Sequence, residues 1–156
     1  MFDVNSDYNE LVDKFFKYYF REAAPIMRAY FNEVQVVLSD NERITGGGVH
    51  SYALSDSRIW QEGLVTNWNN SFKKAEAAIE KYSVTDKDLY ESLKKHILIE
   101  SLFPRYVLCT TYARSYSEKQ RKEMRKAFIE DFEKLGNTTH QEHFTISAIT
   151  STWDLT

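Results

Sequence analysis

The chain has 156 residues, 42% of them hydrophobic, and a formal charge of −3 from 20 basic and 23 acidic side chains. That length argues for one domain that buries its own core, and the slightly acidic balance argues against a nucleic-acid partner, which would need a basic stripe. Cys109 is the only cysteine, so no intrachain disulfide can form, and no stretch approaches the roughly 20 apolar residues of a membrane span. The start, Met1–Asp7, lacks a basic segment followed by an apolar run, so no signal peptide is expected there and the location is left open. The aromatic content is high, with 3 Trp, 10 Tyr and 10 Phe. A small core cannot satisfy ten phenol hydroxyls, so some tyrosines are expected at the surface as contact residues.

Ser6 is the expected cap of a first helix. Its apolar stripe is Tyr8, Leu11, Val12, Phe15, Phe16 and Tyr19, widened by Tyr18 and Phe20. Arg21–Pro25 predicts a break, because a proline disfavours helical geometry at Ala24, the residue before it. Pro25 suits the first turn of a second helix, which carries Met27, Tyr30, Phe31, Val34, Val37 and Leu38 inward and ends near Asp40. From there to Asp56 the pattern is irregular, and 41–56 reads as a flexible loop around Gly46-Gly47-Gly48. The triplet lacks the Gly-Lys-Ser/Thr ending of a phosphate loop. His50 and Tyr52 on this loop, with Trp60 beyond it, are the candidate ligand-binding residues at a pocket rim.

A third helix starts between Ser57 and Thr66 and buries Leu64, Trp68, Phe72, Ala75, Ile79 and Tyr82, while Gly63 sets Ile59-Trp60 apart from it. The central helix spans Asp86–Tyr116, with Thr85 as the expected cap. Leu89, Leu93, Ile97, Phe103, Val107, Leu108 and Tyr112 lie on one side, and Ile99, Leu102 and Cys109 lie on the other. A helix apolar on two sides is expected to be surrounded by others, with a kink at Pro104 and a full break there as the alternative. His96 and Glu100 stand four apart, so either they form a buried polar pair or that side of the helix is solvated. Ser117–Gln120 is a capping box for a fifth helix that buries Met124, Ala127, Phe128, Phe132 and Leu135 and stops at Gly136. The tail could be extended or briefly helical over Thr145–Thr150, with Trp153 pinning its end. The fold class expected over 1–156 is all-α: a single bundle of about five helices, a proline-kinked central one and an irregular C-terminal tail.

Motifs for chemistry are sparse. His140-Gln141-Glu142-His143 is half of a metal site, but the zinc protease pattern is His-Glu-x-x-His, so no metal and no cofactor is expected. No Gly-x-Ser-x-Gly elbow occurs, and 23 acids are too many for carboxylate spacing to single out a pair. No catalytic residue is therefore assigned.

The run Phe15-Phe16-Lys17-Tyr18-Tyr19-Phe20-Arg21-Glu22-Ala23-Ala24-Pro25-Ile26-Met27-Arg28-Ala29-Tyr30 resembles the opening of the helical C-terminal region of large bacterial glycoside-hydrolase-like proteins of unknown function. In those an aromatic helix leads through a Tyr-Tyr-Gly-x-Ala-Ala-Pro corner into a second one. Phe72-Lys73-Lys74-Ala75-Glu76, the helix with Pro104, and Phe132–Thr139 resemble their later segments. The likeness departs at Arg21, where the relatives have glycine, and across the glycine-triplet loop. The resemblance implies a non-catalytic accessory module, a fragment of a larger, exported chain, packed on a preceding barrel domain that would carry any glycoside hydrolysis. Its partner would be that barrel, or a second copy through an aromatic face, with carbohydrate as a further ligand. The rival reading is a stand-alone carbohydrate or small-molecule binding domain whose pocket is closed by the 41–56 loop.

Overall fold

A computed structural model describes residues 7–45, 56–141 and 144–155. Five long helices account for most of them: α1 (Tyr8–Phe20), α2 (Ala24–Thr45), α3 (Glu62–Ile79), α5 (Lys87–Thr110) and α6 (Glu118–Lys134). Two short helices, α4 (Tyr82–Thr85) and α7 (Ile146–Thr152), complete an all-α fold. Two short antiparallel strands, β1 (Thr139–Gln141) and β2 (Phe144–Thr145), stand before α7. The chain divides into two compact units, Met1–Val49 with Asn67–Ile97 and His50–Thr66 with Leu98–Thr156. The division passes through α3 and α5.

In the first unit the cap of α1 is Asp7, not Ser6, which lies outside the described residues. The Asp7 carboxylate accepts from the backbone N–H groups of Asn9 at 2.7 Å and Glu10 at 3.3 Å. The break falls where expected, but its cause differs. Ala24 is helical despite the proline after it, and the reversal sits on Arg21, whose φ of 51° and ψ of −122° end α1 and lead into a 3₁₀ turn, Arg21–Ala23. That backbone region suits glycine, and an L side chain there is strained by roughly 1–3 kcal/mol. Beyond the turn α2 runs five residues past Asp40, so 41–45 are helical rather than loop, because no proline or glycine stops the helix there.

Buried side chains hold this unit: Phe16 and Phe20 from α1, Met27 and Tyr30 from α2, Trp68, Phe72, Ala75 and Ile79 from α3, Leu93 and Ile97 from α5. Full burial of each large one contributes roughly 1.5–3 kcal/mol. Tyr30 meets Trp68 and Phe72 edge to face, at ring distances of 5.3 and 4.8 Å. The Trp68 indole N–H donates to the Glu33 carboxylate at 2.6 Å, which removes the cost of burying that donor. Helix α5 is capped by Asp86, one residue beyond the expected Thr85. The Asp86 carboxylate accepts from Leu89 N–H at 3.0 Å, while Thr85 is spent in α4, donating to the Lys81 carbonyl.

The second unit is built on Cys109, Phe128, Ile129, Ile149 and Trp153, all buried, with Tyr106, Met124 and Phe132 packed around them. Helix α5 continues through Pro104, whose side chain is fully buried, so a full break does not occur. Trp60 packs edge-on against Phe103 at 4.7 Å, and its carbonyl accepts from the Tyr112 hydroxyl at 2.8 Å. Helix α6 opens on the expected capping box: Gln120 N–H donates to the Ser117 hydroxyl, and Ser117 N–H donates to the Gln120 side chain. It closes on Gly136 at φ 83°, where Asn137 N–H reaches back to the Phe132 carbonyl. Ala127, expected inside, is exposed; Ile129 takes the buried position beside Phe128. Between α5 and α6, the half-buried Arg105 and Asp131 pair at 2.8 Å. Of the two alternatives for Thr145–Thr150 the helix is adopted, as α7 takes Ile146 onward and only Thr145 is extended, and Trp153 does pin the end, 4% exposed against Phe128.

Candidate functional site

The feature that folding does not explain is the outward face of α1. Successive helical residues step by about 100°, so Tyr8, Leu11, Phe15 and Tyr18, spaced three, four and three apart, share one stripe. Their exposures are 70%, 50%, 53% and 70%. Val12, Phe16, Tyr19 and Phe20 lie on the adjoining, inward side, where Phe16 and Phe20 are buried. Helix α1 is thus apolar around about half of its circumference, more than its own core contact consumes. Leaving several large apolar side chains in water is unfavourable, and covering each half-exposed one would return about 1 kcal/mol.

The stripe is connected to the core. The Phe15 ring stacks on Tyr19 at 5.1 Å, and Tyr19 stacks on His96 at 3.7 Å and 9°. Its polar rim consists of the Glu10–Lys14 ion pair at 2.8 Å and Arg21, whose guanidinium lies 5.9 Å from the Tyr18 ring centre. Lys14 holds the Glu10 carboxyl below its ordinary range and is itself pushed up by it, so both stay charged at neutral pH. An apolar centre rich in Tyr and Phe inside a charged rim is the make-up of a protein-binding patch. Among the described residues the other exposed large apolar side chains, Val36, Val84 and Ile99, sit singly on three different helices.

The residues singled out from sequence are placed differently from one another. His50 and Tyr52 lie outside the described residues, as does the glycine triplet. Trp60 is buried, 2% exposed, and serves the second unit as a packing anchor. His96 is half-buried, and its Nδ1 stands 3.0 Å from the Tyr19 carbonyl. Since a carbonyl only accepts, Nδ1 carries the proton. The reading of His96 and Glu100 as a buried pair is corrected, because Glu100 is exposed; the protein bulk beside its carboxyl still raises its pKa. The solvated alternative is the one adopted at Glu100. Of the His140–His143 run, residues 142 and 143 lie outside the described residues, and among the described residues no three His, Cys, Asp or Glu could jointly hold a metal ion. Cys109 is buried among apolar groups, which pushes its thiol up to about 11.

Sequence reading placed Tyr8, Leu11, Phe15 and Tyr18 in a single apolar stripe with the core residues. The signal that could have separated them was the width of that stripe, too broad for one contact. Fold and site together define an all-α protein with a solvent-facing aromatic helix, and among the described residues no helix is long and apolar enough to cross a membrane. No known protein family, curated protein or solved structure matches the chain.

Proposed function

We propose that this chain is a non-catalytic helical module of a carbohydrate-processing, glycoside-hydrolase-like protein, docked onto that protein's barrel domain through the outward face of α1. The observation that carries the docking is the alignment of Tyr8, Leu11, Phe15 and Tyr18, each half or more exposed, in one stripe with a charged rim. The nature of the partner comes from the sequence resemblance. It is supported by Arg21, which adopts a backbone suited to glycine at the position where the resembled proteins carry glycine.

The test is a titration against a purified barrel domain encoded in the same or a neighbouring reading frame, followed by calorimetry and analytical ultracentrifugation. The chain is expected to be monomeric alone and to form a one-to-one complex. The double variant Leu11→Lys with Phe15→Lys should abolish that complex while the chain stays folded with only a small fall in its thermal midpoint, since both side chains are half exposed. A complex that survives the double variant rules out the α1 face. A chain that dimerises through this face and ignores the barrel rules out the accessory role.

A further inference from the structure

The second unit holds a cleft of about 580 Å³ between the end of α5, the first half of α6 and the turn after α7. Its walls carry four cations, Arg114, Arg121, Lys122 and Arg125, against two carboxylates, Glu118 and Asp154. The charges are unequally partnered. Lys122 is taken by Glu118 at 3.0 Å, one turn away on the same helix. Arg125 is fixed in place, because its Nε–H donates to the Cys109 carbonyl at 3.1 Å and its guanidinium lies 5.2 Å from the Trp153 ring centre. Neither Arg114 nor Arg121 makes an ion pair or a side-chain hydrogen bond among the described residues. Burial is the main cause that pushes the pKa of Arg125 down; the nearby charge of Arg121 adds to it, while Cys109 and Asp154 oppose it.

We infer that this cleft binds a phosphomonoester on a small organic body, with Arg114, Arg121 and Arg125 gripping the phosphate. Three guanidinium groups against Asp154 leave a surplus of two positive charges once Lys122 and Glu118 are set aside. A phosphomonoester carries about −1.5 to −2 at neutral pH and presents three acceptor oxygens, which matches that surplus and the number of guanidinium forks. A monocarboxylate would leave one charge unanswered. The volume lies within the roughly 300–1,000 Å³ of small-molecule sites, well above what phosphate alone fills, so the remainder accommodates the organic body. Arg125 is already held by Cys109 and Trp153, so little side-chain freedom is lost there on binding.

The same phosphate chemistry occurs in soluble sugar phosphates and in a phosphatidate headgroup, and the experiment separates them. The isotope-labelled full chain is titrated with glucose 6-phosphate, with glucose as the neutral control, following its arginine Nε–H and backbone signals by NMR. In parallel it is sedimented with phosphatidylcholine vesicles with and without phosphatidate. Glucose 6-phosphate is expected to give saturable shifts at Arg114, Arg121 and Arg125, with none from glucose. The variant Arg114→Gln with Arg121→Gln should weaken binding about tenfold or more, each lost contact being a charge-assisted one. Its thermal midpoint should not move, since neither arginine pairs with the described protein, and Arg121→Lys alone should recover part of the affinity. Binding confined to phosphatidate vesicles and lost in the double variant would assign the same site to a lipid headgroup. No saturable response in either arm, an equal response to glucose, or undiminished binding by the double variant would overturn the inference.

Discussion

Helices α1 and α6 each begin on a side-chain cap, Asp7 and Ser117, and each bury two side chains, Phe16 and Phe20 in one, Phe128 and Ile129 in the other. Their outer surfaces differ in kind. On α6 the water-facing positions hold ion pairs one turn apart, Glu118 with Lys122 and Lys126 with Glu130. On α1 the outer stripe holds two tyrosines, a leucine and a phenylalanine. These α6 positions show how this chain dresses the solvent-facing side of a helix. The departure on α1 is therefore a property of that face and not a requirement for making a capped, core-packed helix. The two proposals divide along the same line: on them α1 offers area to another protein, and α6 offers charge to a small anion.

The sharpest way to break this comparison is to truncate one aromatic from each helix. Phe128→Ala removes a ring that is 2% exposed and packed against Phe132 and Trp153, and should cost about 3–5 kcal/mol in urea unfolding. Phe15→Ala on the outward face should cost about 1 kcal/mol or less. Equal losses would mean that the α1 stripe is core and not a docking face.

A smaller effect is expected where α1 ends. Arg21→Gly should raise stability by about 1 kcal/mol, the relief of positive-φ strain exceeding the added chain entropy of glycine and a solvent-exposed cation–π contact. A shift of the denaturation midpoint to lower denaturant would show that the Arg21 side chain holds the corner in a way that its backbone angle does not reveal.

At neutral pH the smallest effect is that of Cys109. Burial raises its thiol from the ordinary 9.0 to about 11. Below 9 both folded and unfolded chains keep the proton, so the group is silent. Between 9 and about 11 only the unfolded chain ionises, and stability falls as pH rises through that window. Cys109→Ser, which does not titrate there, should flatten the fall. In the native wild type at neutral pH a thiol-reactive dye should label Cys109 only as fast as the second unit opens. Immediate stoichiometric labelling would contradict the burial.

Local chemistry made much of this fold legible. The Ser117–Gln120 capping box, the left-handed stop at Gly136 and the three-and-four spacing around Trp68, Leu93 and Phe128 are each written within one or two helical turns, and all five long helices follow from such signals. The boundaries that shifted did so by short-range competition. Asp86 outbid Thr85 as a cap because Thr85 was already used by α4, and the corner before Pro25 fell on Arg21 because Ala24 remained helical. Burial was harder to read, since Ala127 and Ile129 lie on nearly opposite sides of α6 and only the packed partners decide which side turns inward. What the linear pattern could not decide is which apolar side chains on α1 would be left uncovered and which cations would gather around one cleft. Arg114, Arg121 and Arg125 look like ordinary solvated charges along the chain. They become a site only when the end of α5 and the turn after α7 close beside α6, because charge density depends on distances between segments far apart in sequence.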